Sequence, residues 1–113
     1  MQRWLRLHKS EHFERLRKEG IVYRHPFLLL SMAPNQLSHN RYGLITGKPL
    51  GSAVVRNRVR RLLREVMRNL HPTIKTGYDI ILIARAKIEG QPFTVICQVV
   101  QDLLQGAALL AEE

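Results

Sequence analysis

Six arginines stand between Ser52 and Leu70, at positions 56, 58, 60, 61, 64 and 68, and they share that stretch with a single acid, Glu65. The planar guanidinium fork matches two oxygens of a phosphate and keeps its charge at any physiological pH. A solvated charged face would place acids three or four residues from its bases. Here the bases are unbalanced, and at these spacings they repel one another unless an anion lies against them. The chemistry this segment suits is the binding of a polyanion, and nucleic acid fits it best.

Bond-breaking chemistry has no comparable signature. There are no paired carboxylates and no catalytic serine motif, and the five histidines are scattered. His8 and His12 have a four-residue spacing but no further evident ligands, so neither a catalytic centre nor a metal site is expected. The lone cysteine, Cys97, excludes an intrachain disulfide and a cysteine-based zinc cluster; its neighbours Phe93, Ile96, Val99, Val100 and Leu103 mark it as a buried thiol.

A helix over residues 52 to 70 positions the arginines. At 3.6 residues per turn, Val55, Val59, Leu62, Leu63, Val66 and Leu70 form one stripe, and Asn57, Arg60, Arg61, Arg64 and Arg68 lie opposite. Around it, Ser10 caps a first helix over residues 11 to 19 that carries Phe13 and Leu16 and stops at Gly20, where a left-handed residue is cheap. Ile21 to Met32 reads as a strand around the apolar run Phe27 to Leu30, and Arg41 to Thr46 as a second, followed by the glycine loop 47–51 with Lys48. Tyr78 to Ala84 is a third strand, and Pro92 to Leu110 repeats apolar residues at helical spacing. The order α-β-β-α-β-α predicts an α+β fold, helices against a small sheet, formed by residues 1 to 113 as one domain.

Composition agrees with a globular RNA or DNA binder. The 113 residues hold 18 Lys and Arg against 9 Asp and Glu, a net charge of +9. Residues 1 to 87 carry all 18 bases, whereas residues 88 to 113 carry none and 4 acids, so the nucleic-acid surface belongs to the first three-quarters. No apolar run approaches the roughly 18 residues a membrane span needs, and the N-terminus lacks a secretory apolar core; no membrane partner is expected, and the cytoplasm is the expected compartment. A DNA-binding regulator needs a helix and tight turn before its recognition helix, where residues 41 to 51 read as strand and glycine loop. No DNA partner is expected.

At this point the residues become specific. Arg56-Asn57-Arg58, followed by Val59-Arg60-Arg61-Leu62-Leu63-Arg64-Glu65, resembles the signature helix of bacterial ribonuclease P proteins. Gly43-Leu44, Lys48 and Gly51-Ser52-Ala53-Val54-Val55 match its usual lead-in, and Phe13, Gly20, the Phe27 strand and a Tyr78-Asp79 strand ending in Ala84-Arg85 extend the likeness along nearly the whole chain.

The resemblance implies a signature helix joining two parallel strands by a left-handed crossover, a rare exception to the right-handed rule. It implies an accessory subunit of the endoribonuclease that removes the 5′ leader of precursor tRNA, with the catalytic centre and its magnesium ions in the ribonuclease P RNA. Lys48, Arg56, Asn57, Arg58, Arg60, Arg61, Arg64 and Arg68 would face that catalytic RNA. Phe13, Arg17, Phe27 and Arg41 would line a cleft for the single-stranded leader, with core packing the competing role for both phenylalanines. The chain departs from the family pattern at Arg17, where many members have a second aromatic, at Pro49, where many have another lysine, and in having no base after Lys87. A ribosomal or ribosome-assembly protein that binds folded RNA would share the charge and size, but not the ordered match around the signature helix.

Overall fold

The structure, a computed structural model, describes residues 6–7 and 10–111. Its elements are α1 (Ser10–Glu19), β1 (Ile21–Arg24), β2 (Leu28–Pro34), β3 (Arg41–Ile45), α2 (Ala53–Leu70), β4 (Tyr78–Ala84) and α3 (Phe93–Gly106). One four-stranded sheet has the order β1-β2-β4-β3, with β1–β2 and β2–β4 antiparallel and β3–β4 parallel. The parallel pair is joined through α2, as expected for the signature helix.

The stretch Ile21–Met32 is a hairpin of two strands. Pro26 lacks an N–H for a ladder, and the chain reverses there: His25 N–H donates to Leu28 O at 3.0 Å, and Phe27 N–H to His25 Nδ1 at 3.0 Å. Gly20 ends α1, but not by a left-handed turn, since it is absent from the positive-φ residues. Glycine is required there because a Cβ would collide with the Leu16 carbonyl oxygen and lie 2.6 Å from Ser31 Oγ. The last helix stops at Gly106, sooner than its apolar periodicity suggested; Ala108 turns at φ 58°, and Leu110 forms a bridge to Ile74.

Strand alternation sorts the sheet into two faces. Leu28, Leu30 and Met32 of β2, Ile80 and Leu82 of β4 and Tyr42 of β3 bury against Val59, Leu63, Val66, Met67 and Leu70 of α2 and Ile96, Val99, Val100 and Leu104 of α3. On the other face Ala33 and Ile81 pack with Leu7 and with Leu16 of α1, joined by the half-buried Phe13 and Ile83. Cover on both faces explains why β2 and β4 are continuous apolar runs instead of alternating ones.

Candidate RNA interface

The helix α2 begins where Gly51 takes φ 110° and Ser52 Oγ accepts from Val55 N–H at 3.3 Å. Its apolar stripe sits on the sheet as the sequence predicts, with Met67 added. The stripe's burial leaves the arginines on a broad outer arc: Asn57, Arg58, Arg61 and Arg68 are exposed, and Arg56, Arg60 and Arg64 half-buried. Arg68 pairs with Glu65 at 2.9 Å. Among the described residues, Arg56, Arg58, Arg61 and Arg64 have no carboxylate partner. Arg56 Nε is also buried without a hydrogen-bond partner.

Two of the arginines differ from the rest. Arg60 is fixed in place, donating to Thr46 Oγ1 at 2.8 Å and to Asn57 Oδ1 at 3.0 Å, which ties the signature helix to the end of β3. Arg58 lies at the far edge of the arc, beside a hollow lined by Val55, Leu62, Ile88 and Gln91. Lys48 is exposed on a single turn of 3-10 helix, Lys48–Leu50, whose Pro49 occupies an early helical position and whose Leu50 is buried.

On the α1 face, strand register lines up Arg24, Leu29, Ile83 and Ile45 in one row across all four strands. Leu29 and Ile83 are half-buried and Ile45 is 38% exposed, so this row forms an open apolar floor. The next row is Val22, Ser31, Ile81 and Gly43, and over Gly43 lies Phe13: a Cβ there would come within 2.9 Å of its ring. Phe13 therefore forms a wall beside the open row. Arg17, one turn further along α1, is highly exposed and pairs with Glu14 at 3.0 Å.

The other two expected cleft residues are engaged differently. Phe27 packs against the main core, with its ring 5.0 Å from His25, and not with the cluster that holds Phe13. Arg41 is on the α1 face, but its fork is turned onto Asp79, with Nε–Oδ1 and Nη2–Oδ2 both 2.8 Å. The Asp79 hydrogen bond raises the Arg41 pKa, against burial, which lowers it. His12 Nε2 lies 3.1 Å from Arg41 Nη1, and His8 lies outside the described residues.

The sequence reading passed over a cationic corner at the Arg24 end of the row. Arg24, His25, Arg85 and Lys87 surround an open hollow of about 550 Å³ with no acid in its lining. Arg24 and Arg85 are brought together because Arg85 N–H donates to Phe27 O at 2.9 Å as β4 leaves the sheet. Their distance along the chain hides the cluster, although Ala84-Arg85 was part of the motif.

A three-helix α+β protein with an arginine arc on one helix and an open, cation-flanked row on the opposite sheet face has the architecture of a nucleic-acid binder. Residues 1–108 match the Ribonuclease P family. The ribonuclease P protein component of Roseiflexus sp. (strain RS-1) is 40% identical over 111 residues, spanning 97% of this chain and 91% of the relative. That of Herpetosiphon aurantiacus is 41% identical over 109 residues, spanning 96% and 89%. Among solved structures, a mutant RNase P protein of Staphylococcus aureus superposes with a TM-score of 0.86 at 28% identity, covering 94% of this chain and 90% of that one. The Thermotoga maritima RNase P protein gives 0.82 at 27% identity, covering 89% and 96%. The chain belongs to the ribonuclease P protein family.

Proposed function

We propose that this chain is the protein subunit of a ribonuclease P, docking on the catalytic RNA through the α2 arc and on the 5′ leader of precursor tRNA through the α1 face. The observation that carries the reading is the set of α2 guanidinium groups without carboxylate partners among the described residues, in a chain of this family. Phosphates neutralise such groups and release counterions, and the geometry of the arc orients the docking. Lys48 adds a point charge next to it.

For the leader, the reading assigns unstacked bases to the floor of Leu29, Ile83 and Ile45 beside Phe13, with Arg17 at the wall and the Arg24–Arg85–Lys87 corner taking the backbone beyond. Phe27 and Arg41 act behind this surface, one in the core and one on Asp79. The division of labour leaves hydrolysis of the phosphodiester to the RNA subunit and its magnesium ions. Among the described residues no group of three His, Cys, Asp or Glu side chains converges as a metal site. No helix of the described chain is long and apolar enough to cross a membrane.

The test is cleavage of a leader-bearing precursor tRNA by the matched ribonuclease P RNA at limiting magnesium, with and without the protein. Protein-dependent cleavage at the mature 5′ end is the expected result. Failure to stimulate would move the chain to the binding of another folded RNA, the ribosomal kind included.

A further inference from the structure

The wall of the open row, α1, has few anchors of its own. It is ten residues long, a length at which an isolated helix is marginal in water, and Leu16 is its buried side chain. Phe13 rests on the bare backbone of Gly43, so its height above the sheet depends on where the helix is held. Between helix and sheet lies one carboxylate, Asp79, with 0% exposure.

Asp79 accepts four hydrogen bonds: from Arg15 Nη2 at 2.6 Å, from Arg41 Nε and Nη2 at 2.8 Å each, and from Asn35 Nδ2 at 2.9 Å. That fills the acceptor capacity of an ionised carboxylate. Burial pushes the Asp79 carboxyl up, but the bonds from Arg41, Asn35 and Arg15 outweigh it and hold the group below its ordinary value. Each arginine also spans two elements. Arg15 belongs to α1 and gives a second nitrogen to Pro34 O at 3.1 Å, at the end of β2, with Glu19 Oε2 3.5 Å away. Arg41 belongs to β3 and places Nη1 3.1 Å from His12 Nε2 in α1. Since a guanidinium only donates, the imidazole nitrogen accepts. Both arginines thus couple α1 to β4 through a single acid.

We propose that Asp79 is a positioning residue for the leader: through Arg15 and Arg41 it locks α1 over the sheet and so holds Phe13 at the edge of the open row. The proposal rests on the leader reading above and adds to it residues that need not touch RNA. It also gives Arg41 a role that its occupied fork allows.

The sign of the Asp79→Asn effect separates positioning from charge. Taking a negative charge away from a surface that binds a polyanion leaves RNA binding equal or tighter on electrostatics alone. A misplaced α1 instead weakens the leader contact. The experiment uses holoenzyme assembled from the full chain and its matched RNA, and measures the ratio of affinities for leader-bearing precursor and mature tRNA.

Asp79→Asn is expected to lower that ratio by about tenfold, the worth of one stacked base, with affinity for the catalytic RNA unchanged because α2 packs on the other sheet face. Arg15→Gln leaves Asp79 neutralised by Arg41, so it decides the matter should Asp79→Asn fail to fold; it is expected to lower the ratio in the same way, and Arg15→Lys to restore most of it. Folded variants with the wild-type ratio, or with equal losses on precursor and mature tRNA, overturn the proposal. Phe13→Ala is the control. If it lowers the ratio while the clamp variants do not, only the clamp fails; if it also leaves the ratio unchanged, the leader reading falls and the clamp's purpose with it.

Discussion

Replacing Arg64 by glutamine should make the free protein more stable and the RNA-bound one weaker. Arg64 has Arg60 and Arg61 at four and three residues before it and Arg68 four residues after it on α2. Like charges at these spacings each destabilise a helix by about 0.2–0.5 kcal/mol. Removing the shared member relieves all three pairs; with Arg68 partly neutralised by Glu65 at 2.9 Å, the gain is about 0.5–1 kcal/mol at low salt. Arginine and glutamine have similar helix propensity, and glutamine keeps part of the aliphatic stem, so neither effect masks the gain. Thermal unfolding of the isolated protein should rise by roughly 2–5 °C near 50 mM salt and lose most of that increase near 0.5 M. In parallel, loss of one phosphate contact should flatten the plot of log affinity for the catalytic RNA against log salt by about 0.7–0.9.

Arg60→Gln supplies the contrast on the same arc. It removes the donors to Thr46 Oγ1, a residue only 7% exposed, and to Asn57, so the free protein should lose about 1 kcal/mol. An Arg64→Gln protein that is less stable than wild type at low salt, or whose gain ignores salt, would refute the argument that the arc repels itself. The reason for expecting a polyanion against it would go too.

Further outcomes follow from other contacts. Gly43→Ala puts a Cβ 2.9 and 3.0 Å from two Phe13 ring atoms and 3.3 Å from Ile81 Cγ1, so the Phe13 ring must retreat; stability should fall by about 1–3 kcal/mol and affinity for leader-bearing precursor should fall with it, measured by unfolding and by titration. Asp79 is held below its ordinary value, so the stability it contributes is complete above about pH 4 and is lost as the pH falls through the lower folded-state value; acid titration of Asp79→Asn should lack this limb. Tyr42 is pushed up from 10.0 to about 12, chiefly by burial. The stability favouring its neutral phenol is present below pH 10 and lost as pH rises toward 12, about 2–3 kcal/mol in all, and alkaline titration of Tyr42→Phe should be flatter across that window.

How legible each feature was depended on whether its partner lay within a few residues. The α2 helix could be read in full because its apolar and arginine faces repeat within every turn. The hairpin at Pro26 was legible in principle, since proline inside an apolar run argues against a single strand, but the apolar run from Phe27 continues unbroken into β2 and masks the turn. Arg41 was legible as a residue between the first helix and the sheet, but its pairing with Asp79 was not, because that partner is 38 residues away. A signal was present: Asp79 is the only acid in the strand Tyr78–Ala84, whose neighbours are apolar, and a buried acid must find donors. Phe27 could not be assigned to a sheet face before the hairpin fixed the register.

In the proposed reading, the parallel β3–α2–β4 connection is what lets one small chain meet two RNAs. Ile45 closes β3 on the α1 face, and the next residue, Thr46, holds Arg60 of α2. The open row therefore ends where the arginine arc begins, and a strand lying along Leu29, Ile83 and Ile45 arrives at the signature helix without crossing an acidic surface. α3, whose segment carries no base, packs beside α2 on the other sheet face through Ile96, Val99, Val100 and Leu104. It backs the sheet whose opposite face carries the row, so the proposed leader surface does not draw on it. Among the described residues the bases are concentrated on α1, α2 and the strand ends that border the row and the arc, whereas Lys75 sits apart, beside Gln101 and Gln105 of α3.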